Sequence, residues 1–63
     1  MNINSYVGKK IKMYYASPQG EVFDIGLVKS SNNNAAITLL KEGTKELVTI
    51  GVYRISKIEL IVE

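Results

Sequence analysis

The feature that most constrains this chain is a succession of short β-forming runs joined by spacers too short to hold a helix. From Lys9 to Tyr15 the residues alternate, with Ile11, Met13 and Tyr15 on one side and Lys10, Lys12 and Tyr14 on the other. That period of two marks a half-buried strand. Ser17-Pro18-Gln19-Gly20 then reverses the chain, since proline pre-sets φ at the second turn position and glycine suits the fourth. The run Glu21 to Ser30 is predicted as a long second strand with Phe23, Ile25 and Leu27 facing the core and Val22, Asp24 and Val28 facing away. Gly26 inside it marks a bulge or bend. Ser30 to Asn34 is a second turn, Ala35 to Leu40 a third strand and Lys41-Glu42-Gly43-Thr44 a third turn. Lys45 to Ile50 is a fourth strand with Val48 and Ile50 inward. Gly51 to Arg54 is read as one 3₁₀ turn, leading to a last strand from Ile55 to Val62 with Ile58, Leu60 and Val62 inward.

Parallel pairing needs crossovers of a dozen or more residues, so these strands must pair antiparallel. A flat sheet of five would leave an apolar face wet and two edges open, and curling removes both liabilities. The expected fold is therefore all-β, a five-stranded antiparallel small barrel preceded by a short helical turn. That turn covers Asn2 to Val7, with Asn2 as cap, Gly8 as terminator, and Ile3 and Tyr6 packed on the barrel mouth. At 63 residues against a prior of roughly 150 per domain, residues 1–63 are expected to form a single unit.

Much chemistry is excluded by what is missing. The chain contains no cysteine and no histidine, which removes disulfides, thiolate metal sites, cysteine nucleophiles, imidazole bases and Ser-His-Asp triads. Its carboxylates, Glu21, Asp24, Glu42, Glu46, Glu59 and Glu63, show no acid/base spacing, and no glycine-rich phosphate loop occurs. No enzyme, cofactor or small-molecule substrate is expected, because a deep pocket would remove core that so short a chain cannot spare. Met1 to Tyr6 lacks a basic segment followed by an apolar run, and no stretch approaches 18 apolar residues. The expectation is a cytoplasmic protein without a membrane partner.

The formal charge is +2. Its excess arises in residues 1–31, where Lys9, Lys10, Lys12 and Lys29 face only Glu21 and Asp24. On the outward face of the first strand, Lys10, Lys12 and Tyr14 recur about 6.6 Å apart. Such a stripe can track a phosphate backbone while Tyr14 stacks a base, the combination that single-strand binders use. The plainer reading is a solvated face that discourages edge pairing, with Glu59 on a neighbouring last strand opposite Lys10 or Lys12. Tyr53 and Arg54 stand where small barrels expose a loop rim, or else cover the barrel end. Asn32 to Asn34 can bond base edges, or serve only the turn. Val22 and Ile61, out of phase with their strands' core residues, would form an apolar partner surface if exposed together.

Tyr6-Val7-Gly8-Lys9-Lys10-Ile11-Lys12, Phe23-x-x-Gly26-Leu27-Val28 and Arg54-Ile55-Ser56-Lys57-Ile58-Glu59-Leu60 together resemble the C-terminal domain of the bacterial ribosome maturation factor RimP, and more loosely the Sm-like proteins. The resemblance implies an SH3-like or Sm-like barrel that binds RNA or a ribosome surface. It does not extend to the Sm uridine loop, since Ser31-Asn32-Asn33-Asn34 has no aspartate, nor to an Arg-Gly pair, since Ile55 follows Arg54. The expected function is thus non-catalytic binding of RNA or a ribonucleoprotein, with Lys9, Lys10, Lys12, Tyr14, Lys29, Asn33 and Arg54 as the contact residues. The alternative is a protein interaction or self-association module working through a strand edge or the Val22/Ile61 surface.

Overall fold

The computed structural model describes residues 3–32 and 35–62. The first strand, β1, runs Lys10–Ser17 and the second, β2, Gly20–Asn32. They form a hairpin closed by Pro18 and Gln19, in which Ser17 pairs with Gly20. Two features set this turn. Gly20 takes φ +112°, and the Ser17 hydroxyl accepts from the Gln19 amide at 3.2 Å and donates to the Gly20 carbonyl at 2.7 Å. Next come β3 (Ala36–Lys41), β4 (Leu47–Gly51), a 3₁₀ turn over Val52–Arg54, and β5 (Ile55–Leu60). A 3₁₀ turn over Ile3–Tyr6 precedes the sheet. Asn2, Asn33 and Asn34 lie outside the described residues, as does the side chain of Ile3.

All ladders are antiparallel and the strand order is β4-β3-β2-β1-β5. Among the described residues no ladder joins β4 to β5, so the sheet has two edges. It is nevertheless curved, since residues of β1, β2, β3 and β4 share one core against which Ile55 and Ile58 of β5 pack. Its least extent is 19 Å, about twice the ~10 Å that separates two packed sheets. The bend has local causes: register shifts at Tyr14/Tyr15 and Val28/Ser30, and Gly26, where a Cβ would fall 2.1 Å from the Leu40 carbonyl oxygen. Only a residue without a side chain lets β2 and β3 approach that closely.

The concave face holds the core: Ile11, Met13, Val28, Ile37, Leu39 and Ile50, with Tyr6, Tyr15, Val48, Val52, Ile55 and Ile58 packed around them. The expected inward placement of Ile11, Met13, Tyr15, Val48, Ile50 and Ile58 holds. That of β2 is reversed. Val28 is buried, whereas Phe23 is 52% and Leu27 37% exposed. The hairpin decides this, because Tyr14↔Phe23, Lys12↔Ile25 and Lys10↔Leu27 are cross-strand pairs and share the outer face of β1. Leu60 and Val62 are also exposed; β5 is an edge strand whose end has no second neighbour to cover it. Among the described residues no helix is long and apolar enough to cross a membrane.

Candidate functional site

β1 is paired on both sides, so its outward side chains sit in the middle of a three-strand surface. Two cross-strand rows result: Ile25, Lys12 and Glu59 in one, Phe23, Tyr14 and Lys57 in the other. The Tyr14 and Phe23 rings lie 5.8 Å apart between centroids, inclined at 52°. This is a tilted contact of the kind aromatic pairs prefer. The Lys12 ammonium stands 4.3 Å from the Phe23 centroid and 5.0 Å from that of Tyr14, and Lys57 reaches within 5.9 Å of the Tyr14 ring. All three are cation–π distances.

A hydrogen-bond chain fixes these groups. The Tyr14 hydroxyl donates to Glu59 Oε1 at 3.0 Å, and Lys57 Nζ lies 3.4 Å from Glu59 Oε2. The Tyr14 hydrogen bond, followed by the charge of Lys57, holds the Glu59 carboxyl below its ordinary range. The neighbouring Tyr14 side chain, aided by the charge of Glu59, raises Lys12 above its ordinary 10.5. At neutral pH two ammonium groups and one carboxylate therefore stand around two half-open rings. Such a surface can stack a planar group and receive an anion beside it.

The remaining sequence candidates fall elsewhere. Lys10 is tied to Glu42 at 2.9 Å, at the other end of β1. Lys9 and Lys29 are exposed and lie on neighbouring backbone, since the Val28 amide donates to the Lys9 carbonyl at 3.0 Å. Lys29 is the extra residue of the bulge between Val28 and Ser30. Arg54 is on the Tyr15 side of the sheet, apart from Lys12. Its Nε and Nη2 both donate to the Ala16 carbonyl, at 3.1 and 2.7 Å, and its guanidinium lies 5.6 Å from the Tyr15 ring centroid. It braces the last turn against the end of β1. Tyr53, beside it, is 90% exposed rather than covering the sheet end. Asn33 lies outside the described residues.

Phe23 and Lys57 belong to this surface and were not among the sequence candidates. Phe23 was legible: counting three residues outward from the Ser17–Gly20 pair reaches Tyr14 and Phe23. Lys57 follows only once β5 is registered on β1. The Val22/Ile61 patch does not form. Val22 pairs with Tyr15 and the Ile61 amide bonds the Lys10 carbonyl, placing them about 16 Å apart along β1, and both are half-buried. Among the described residues no cluster of three or more aspartate or glutamate side chains is placed to hold a metal ion.

Set against known protein families, curated proteins and solved structures, the chain gives no significant match to any of them.

Proposed function

We propose that the chain is a non-catalytic, half-open small barrel of the SH3-like or Sm-like kind, whose outer β2–β1–β5 surface binds single-stranded RNA or the RNA of a ribosome surface in the cytoplasm. One observation carries this reading: Phe23, a large aromatic side chain 52% exposed, lies against Tyr14 with Lys12 poised over both rings. An exposed phenylalanine on a folded surface gains nothing from water, whereas a base stacked on such a ring is worth about 1–3 kcal/mol. Lys12 and Lys57 supply the phosphate contacts, and Lys9, Lys10 and Lys29 extend the positive field toward the far end of β1. The resemblance to the RimP domain adds a likeness in segments of all three strands that form this surface.

The test is a fluorescence titration of a labelled oligouridylate across salt concentrations. With about three phosphates neutralised at roughly −0.7 each, the log–log slope is expected near −2. Phe23→Ala should weaken binding about 5- to 100-fold, and Lys12→Glu with Lys57→Glu should flatten the slope. Affinity that ignores both salt and these substitutions would refute the proposal. A second reading, self-association through the open edges of β4 and β5, predicts a mass above that of a monomer by light scattering at rising concentration; a constant monomer mass would remove it.

A further inference from the structure

The outer face has a second feature, at the opposite end from the rings. Lys10, Leu27, Leu40 and Leu47 stand in one row across β1, β2, β3 and β4. Leu27 and Leu47 are exposed, at 37% and 64%. The turn from Glu42 to Lys45 stands beside this row and leaves a cleft of about 310 Å³. Leu27, Leu40 and the bare backbone of Gly26 line it together with Lys10, Lys41, Glu42 and Lys45.

The turn that walls the cleft is tied down by its own backbone. The Lys45 amide donates to the Lys41 carbonyl at 2.9 Å, the Lys41 amide to the Glu46 carbonyl at 2.8 Å, and the Glu42 amide to the Ile25 carbonyl at 2.8 Å. The cleft is therefore formed before anything enters it, and at the low end of the ~300–1,000 Å³ range of ligand sites it suits one large side chain. Its charge is unbalanced. Lys10 is compensated by Glu42 at 2.9 Å and Lys41 by Asp24 at 3.6 Å, while the exposed Lys45 has no ion-pair partner among the described residues. An apolar lining beside a surplus cation calls for an apolar group that carries negative charge beside it. No aromatic ring lines the cleft, so it offers a base nothing to stack on, and Lys10 is about 13 Å along β1 from Tyr14.

We infer that this cleft is a second binding site, separate from the ring surface, which takes one aliphatic or aromatic side chain of an acidic peptide segment, a flanking carboxylate meeting Lys45. The test is fluorescence anisotropy with three labelled peptides: a central leucine flanked by glutamates, the same with serine for leucine, and the same with lysines for glutamates. The leucine–glutamate peptide is expected to bind at least tenfold more tightly than either control. Leu27→Ser should weaken it about tenfold and Lys45→Glu about fivefold, with oligouridylate binding unchanged. Circular dichroism checks the fold of Leu27→Ser and of Lys45→Glu, the latter because residue 45 holds φ +60° in the turn. Equal binding of the serine peptide, indifference to Lys45→Glu, or displacement of the peptide by oligouridylate would each overturn the inference. The peptide measurements need no RNA, so failure of the ring surface to bind RNA leaves them decisive.

Discussion

The two faces of β1 carry side chains of similar size, yet they live in different solvents. Ile11 and Met13 on the concave face are wholly closed to water, while Lys12 and Tyr14 between them stay half-open and hold Phe23, Lys57 and Glu59 around them. The first face carries the stability of the domain and the second is spared that task. At about 0.05–0.15 kcal/mol per residue, 63 residues give a total of only several kcal/mol, so a core defect and a surface defect should separate cleanly. Met13→Ala is expected to cost about 2–5 kcal/mol and leave the chain largely unfolded in a urea titration. Phe23→Ala should cost no more than about 1 kcal/mol of stability. If both unfold the protein alike, Phe23 belongs to the core and the distinction between the faces fails.

Gly26 sharpens the same comparison, because it belongs to the bend that creates both faces. A Cβ there would meet the Leu40 carbonyl oxygen at 2.1 Å and its carbon at 2.8 Å, both backbone atoms that cannot rotate away. Gly26→Ala must open the β2–β3 ladder, and an overpacking cost of about 1–3 kcal/mol is expected, partly offset by the lower entropy of the unfolded alanine chain. The midpoint of urea unfolding reads it. A substitution that is neutral or stabilising would show that the close approach of β2 to β3 is not what bends the sheet.

What the sequence made legible was local. The Ser17 to Gly20 turn, the alternation of β1, the inward Val48 and Ile50 and the 3₁₀ turn before β5 all follow from residues a few positions apart. The facing of Glu59 and Lys12 comes instead from the expectation that the first and last strands are neighbours, which β1–β5 pairing realises. The facing of β2 does not follow from its own composition, for it has apolar residues on both sides: Val22 and Val28 on one, Phe23, Ile25 and Leu27 on the other. Hydrophobicity favours the larger set, but a one-residue choice of phase turns every side chain over, and the hairpin register chooses the smaller. The reversal moved Phe23 from the expected core onto the candidate site. Arg54 shows the other limit, since nothing in the sequence tells that its two donors are taken by a carbonyl 38 residues away.

The smallest effect concerns Tyr15, the one β1 tyrosine on the core side. Its hydroxyl donates to Asp24 Oδ2 at 2.7 Å. That hydrogen bond first, then burial and the Asp24 charge, raise the phenol above its ordinary 10.0, with Arg54 opposing. A folded-state value raised above the unfolded one means that the folded chain holds this proton more tightly. The resulting stability is fully present below pH 10 and is lost as pH rises through the folded-state value. Tyr15→Phe should therefore lower stability at neutral pH by about 1 kcal/mol, the worth of one hydrogen bond. It should also remove part of the decline above pH 10, so that mutant and parent converge in alkali. If Tyr15→Phe leaves both the neutral stability and the alkaline decline unchanged, the hydrogen bond to Asp24 is not what holds this proton.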